Sequence, residues 1–98
     1  MQRVTIIARI KAKPEFADQM KQESSGLIAP TRREQGCLTY DLHQSVEDPL
    51  LFLLHEVWES QALLEEHWKS DHLKPYRRAT EGMIEQREIT LLRNIEES

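Results

Sequence analysis

The chain has one cysteine, three glycines and four prolines among 98 residues. A lone Cys37 cannot form an internal disulfide, and such sparing use of cysteine suits a reducing cytoplasm. So few glycines leave no glycine-rich phosphate loop and no nucleotide fingerprint. No apolar run reaches the roughly 18 residues that a membrane span requires. The opening residues, 1–13, have too short an apolar stretch and the wrong flanks for a signal peptide. Thirteen Lys and Arg against seventeen Asp and Glu give a net charge of −4. Without a basic surplus to neutralise phosphates, a nucleic-acid partner is not expected. No Ser/His/Asp constellation, haem motif or iron–sulfur motif is present. Any chemistry here is expected to run without a tightly held cofactor, or with one borrowed as substrate.

What remains is one domain's worth of mixed-charge sequence with clear periodicity. Residues 3–11 are rich in Val, Ile and Thr and predict a strand. Pro14 opens a helix. Pro30 predicts a kink there, since its ring presses on the carbonyl of Gly26, with a last turn through Arg33 and a stop at Gly36. Residues 37–46 and 50–58 predict two strands joined by a turn at Glu47-Asp48-Pro49. Ser60 caps a helix over 61–69. Pro75 interrupts the pattern, so a connector over 70–74 and a short helix over 75–82 are expected. Residues 84–93 predict the last strand. The order β-α-β-β-α-β is that of a ferredoxin-like α+β sandwich.

Helices would cover one face of such a sheet, yet the strands are apolar on both. Residues 50–58 place Leu50, Phe52, Leu54 and Trp58 on one side, with Leu51, Leu53 and Val57 on the other. The simplest cover for the second face is another copy of the sheet, so a homodimer is expected.

Candidate chemistry centres on His67 and His72. On one continuous helix, five residues turn about 140°, so the two would not share a face. The connector before Pro75 can bring them together at one rim of a cavity. Two adjacent ligands fall short of the three or four of a zinc site, and no metal is expected. Acid–base work or hydrogen bonding to a polar ligand suits imidazole better, and exposed or backbone-bonded histidines are the plainer alternative. Glu56 sits in an apolar strand beside Phe52 and Trp58. A carboxyl there is either a functional base or orienting group, or half of a buried ion pair with Arg9, Arg32 or a second copy. His55 faces away from Glu56. Tyr40 alternates with Leu38 and Leu42 and faces an apolar surface. Trp58, Trp68 and Tyr76 offer flat apolar area, which in most proteins is core and here also suits a planar ligand.

The ordered set Glu34-x-Gly36-Cys37-Leu38-x-Tyr40-x-Leu42, Pro49-x-x-Phe52-x-x-x-Glu56-x-Trp58, then Ala62, His67, Ser70 and His72 resembles the antibiotic biosynthesis monooxygenase family. That resemblance implies a dimeric α+β barrel. It also implies a small planar aromatic substrate, such as a quinol or anthrone, and molecular oxygen as co-substrate. Several members use no metal, flavin or haem. The implied roles are proton transfer by His67 and His72 at a pocket mouth, with His67 foremost, and orientation by Glu56. Trp58, Phe52, Tyr40 and Tyr76 would line an aromatic slot. A haem-degrading branch carries an asparagine on the first strand, a tryptophan at the position of His67 and a haem-ligating histidine at that of Arg77. This chain departs at all three. An isomerase of a small oxygenated metabolite and a non-catalytic ligand-binding module remain alternatives.

Overall fold

The computed structural model describes residues 2–97. Its strands are β1 (Val4–Ala12), β2 (Cys37–Gln44), β3 (Leu51–Trp58) and β4 (Ile84–Leu92). Its helices are α1 (Ala17–Ser25), α2 (Ile28–Arg32), α3 (Gln61–Trp68) and α4 (Leu73–Thr80), with short 3-10 turns at Pro14–Phe16 and Ile95–Glu97. The sheet runs β2-β3-β1-β4, and every neighbouring pair is antiparallel. This is the ferredoxin-like α+β fold, with each of its two helical crossovers made of two short helices.

The divisions fall where proline chemistry allows. The first helix breaks at Gly26-Leu27 rather than at Pro30. Pro30 instead occupies the first turn of α2, where its missing N–H has no intrahelical acceptor to serve. Pro75 likewise lies in the first turn of α4, so that helix starts at Leu73 and ends at Thr80, not at 75 and 82. Ser60 caps α3 as its sequence predicts: its Oγ accepts from the Leu63 N–H at 3.3 Å.

Inner-face residues alternate cleanly along β3, where Phe52, Leu54, Glu56 and Trp58 are all buried. They pack with Ile6, Ala8 and Ile10 of β1 and with Met20, Leu64, Leu73 and Tyr76 of the helical layer. On β2 the register shifts between Cys37 and Thr39, which pair with Trp58 and Val57. Leu38 is the extra residue of this bulge and is exposed. The bulge thereby separates Leu38 from the apolar surface that takes up Tyr40. Gly36 precedes it with φ of +87°, and a Cβ there would lie 2.5 Å from Leu63 Cδ1. Only glycine suits both the left-handed backbone and the close approach to α3. That approach carries the chain between α2 and β2 past the helix that bears His67.

Candidate active site

Three segments meet over the inner face of β3. Glu34 comes from the link between α2 and β2, His67 from α3, and His72 from the turn that begins α4. One carboxylate oxygen joins both imidazoles. Glu34 Oε2 lies 2.5 Å from His67 Nδ1 and 3.0 Å from His72 Nε2. A carboxylate oxygen accepts, so each of these nitrogens carries its ring's proton. In the neutral rings the lone pairs then sit on His67 Nε2 and His72 Nδ1.

His67 Nε2 faces Glu56 Oε1 at 4.0 Å, a gap that must close by about 1 Å for a direct hydrogen bond. Glu56 Oε1 also accepts from the Trp58 indole N–H at 2.9 Å. The Trp58 ring stacks on His67 with centroids 4.6 Å apart and planes 29° from parallel, while Tyr40 meets the imidazole edge-on at 6.0 Å. At the other end, the hydroxyls of Thr31 and Ser70 lie 3.2 and 3.4 Å from His72 Nε2. Thr31 also hydrogen-bonds the Tyr40 side chain.

Burial divides the cluster into an interior and a rim. His67 is 3% exposed and Glu56 6%. His72 and Glu34 show 24% and 19% of their side chains. Burial pushes the His67 pKa below its usual 6.5, against the hydrogen bond and charge of Glu34, which pull it up; the charges of His72 and Arg77 lower it further. Burial likewise raises Glu56 above the ordinary carboxyl range; the Trp58 bond opposes this and the Glu34 charge adds to it. The interior is therefore set for a neutral imidazole beside a carboxyl that holds its proton unusually well. Tyr40 is raised mainly by burial, so its phenol stays protonated.

The structure brings together His67, His72, Glu56, Trp58 and Tyr40. Phe52 lies on the same face of β3, but four residues along a strand place it about 13 Å from Glu56, within the apolar core. Tyr76 is buried against α1, its hydroxyl 3.1 Å from Ser24 Oγ. It shares with His72 a surface cleft of about 330 Å³, also lined by Leu27, Pro75 and Ala79. Of the two histidines, His72 alone reaches the rim, with His67 behind it. Neither Arg9 nor Arg32, the two arginines considered as partners for Glu56, pairs with it. Arg9 belongs to the opposite face, and Arg32 is engaged by Asp41 at 2.9 Å and the Tyr40 carbonyl at 3.1 Å. His55 faces away from Glu56, opposite Ile7 and Asp41.

Glu34 is the site residue that periodicity does not reveal. It lies 33 positions from His67, in a stretch that reads as the end of a helix. Its one sequence signal is its place at the head of the ordered motif.

An antiparallel α+β fold that gathers two imidazoles and two carboxyls over the inner face of its sheet defines a class of small α+β proteins with a buried ionisable cluster. Residues 3–79 match the family model described as antibiotic biosynthesis monooxygenase, and the chain belongs to that family. It resembles the crystal structure of PA3566 from Pseudomonas aeruginosa, with 37% identity, 97% of this chain and 96% of that one covered, and a TM-score of 0.93. It is also similar to Rv0793 of Mycobacterium tuberculosis, 36% identical over 74 residues that span 76% of this chain and 72% of that protein. The solved structure of Rv0793 superposes with a TM-score of 0.89 over 95% of both chains, at 30% identity. At the level of the family, a monooxygenase-like role follows.

Proposed function

We propose that this protein oxidises a small aromatic of the quinol class with molecular oxygen, without metal or flavin. The observation that carries the reading is the single Glu34 oxygen shared by two imidazoles, one buried and one at a cleft. The reaction balances without an outside reductant: a quinol and oxygen give a hydroxyquinone and water, the substrate supplying all four electrons, two for the oxygen atom it gains and two for the one that leaves as water. The protein's task is to take the phenolic proton, because the phenolate gives up an electron to oxygen far more readily than the phenol. His72 accepts that proton at Nδ1, and Glu34 receives the partial release from Nε2. His67, a positioning residue here, holds Glu34 from behind and spreads the incoming charge toward Glu56. The cleft beside His72 and Tyr76 suits one flat ring.

We further propose a single domain that works as a homodimer in a reducing cytoplasm. Ile7, Leu51, Leu53 and Val57 on the outer sheet face are only half-buried and leave an apolar strip for a second copy. Sedimentation equilibrium at micromolar concentration tests this, and a monomer there contradicts it.

The function is tested by oxygen consumption with metal-stripped, flavin-free protein and a panel of hydroquinones, reduced naphthoquinones and anthrones, corrected for autoxidation. The expected result is saturable uptake that falls at least about 10-fold in His72→Ala. Substrate turnover without oxygen uptake transfers the site to isomerase chemistry, and no turnover of any kind overturns the catalytic reading.

A further inference from the structure

Glu34, His67 and His72 present one carboxylate oxygen and two imidazole nitrogens, all within 4.8 Å of one another. Each comes from a different segment, so the convergence is tertiary and owes nothing to helical spacing. Two nitrogens and one oxygen suit a borderline divalent cation of the first transition row, and three protein donors leave a fourth position open. We propose that this triad is a zinc-class metal site and that a bound cation switches the proton acceptor off. The activity half of this proposal rests on the function proposed above, whereas the binding half does not.

The geometry supports the exchange of protons for a metal. Glu34 Oε2 stands 2.5 and 3.0 Å from the two ligand nitrogens, spacings bridged by N–H protons. Donors around a tetrahedral cation at about 2.0–2.1 Å stand roughly 3.3 Å apart. Glu34 must therefore withdraw by less than about 1 Å, which its half-exposed link permits, and the two imidazole nitrogens, up to 4.8 Å apart, must close by as much as about 1.5 Å, a shift that falls to His72 at the rim. Entry runs past the exposed edges of His72 and Glu34. Outer-shell support is already in place: Trp58 stacks on His67, and its Nε2 faces Glu56, the kind of partner that fixes a ligating imidazole.

Binding inverts both tautomers. A metal on His72 Nε2 and His67 Nδ1 needs the lone pair there, so each ring's proton moves to its other nitrogen. His72 Nδ1 then carries N–H and accepts nothing. His67 Nε2 becomes a donor aimed at Glu56.

The test is zinc titration of metal-stripped full-length protein, read by competition with a chromophoric chelator, with cobalt absorption as the report of geometry. The expected result is one zinc per chain at micromolar affinity or tighter, and a cobalt ligand-field spectrum typical of four-coordination. Glu34→Gln and His72→Ala should each weaken zinc at least 10-fold, while His43→Ala and His55→Ala leave it unchanged. The cobalt spectrum needs no variant, so a folding defect cannot hide the answer. No stoichiometric zinc, a six-coordinate cobalt spectrum, or affinity that survives Glu34→Gln overturns the site. Stoichiometric zinc at that site with turnover unchanged overturns the switch alone. If no substrate is ever turned over, zinc binding still decides the site.

Discussion

Strands β3 and β4 flank the same central strand with the same antiparallel pairing, and they differ completely in what they bury. Inner-face residues of β3 are sealed from Phe52 to Trp58, and Glu56 is sealed among them. On β4, Ile89 and Leu91 stand opposite Ala8 and Ile6, toward the helical side, yet remain 48% and 41% exposed. Of β4 only the first residue, Ile84, packs against the core, and the rest of the strand is exposed. A ladder of hydrogen bonds therefore decides neighbours, while cover decides environment. The same cover that stabilises β3 shifts the pKa values of Glu56 and His67, so the site exists only where the helices reach.

The largest expected effect is at the sealed strand. Trp58→Ala removes a fully buried ring that stacks on His67 and donates to Glu56, and should cost about 3–5 kcal/mol in urea unfolding. A loss below about 1 kcal/mol would show that the β3 core is looser than this packing implies. Next is Glu34→Gln. It keeps one acceptor oxygen but removes the charge between the two imidazoles, and turnover should fall about 10- to 100-fold with stability nearly unchanged. Equal losses in turnover and stability would make Glu34 a structural brace.

Cys37 tests the edge of the covered zone. Burial, chiefly, with the charges of Glu56 and Glu34, pushes its thiol from 9.0 up to about 11. Alkylation at pH 8 should run at least about 10-fold slower in the folded protein than in urea. The unfolded thiol ionises first, so Cys37 helps the fold below pH 9 and that help is lost between pH 9 and about 11. Alkylation as fast as in urea would place Cys37 outside that cover. The smallest effect belongs to β4. Ile89→Ser should change the unfolding energy of a dilute chain by less than about 0.5 kcal/mol. A larger loss that grows with protein concentration would show that a second copy supplies the cover β4 lacks.

These contrasts explain what the sequence made legible. Alternation along Leu51–Trp58, the Ser60 cap and the strand order lead directly to the fold, because each depends on near neighbours. The two prolines mark helix interruptions correctly but misplace them by a few residues, since first-turn positions tolerate proline. His67 and His72 stand out as unusual residue types. Glu34 does not, because its meaning arises only when the Gly36 turn lays the link against α3. Arg9 and Arg32 as partners for Glu56 fail for a similar reason. Charge alone cannot say which face a strand turns inward, and the indole N–H of Trp58, two residues along the same strand, satisfies the carboxyl instead.

The proton-transfer reading of the site depends on which ring nitrogens carry protons. Long-range nitrogen–proton correlation NMR of the histidine rings, on metal-stripped protein at neutral pH, reads this directly. The expected result is His67 neutral with its proton on Nδ1 and His72 with a proton on Nε2, both facing Glu34. A His67 ring protonated on Nε2, with Nδ1 bare, would contradict it.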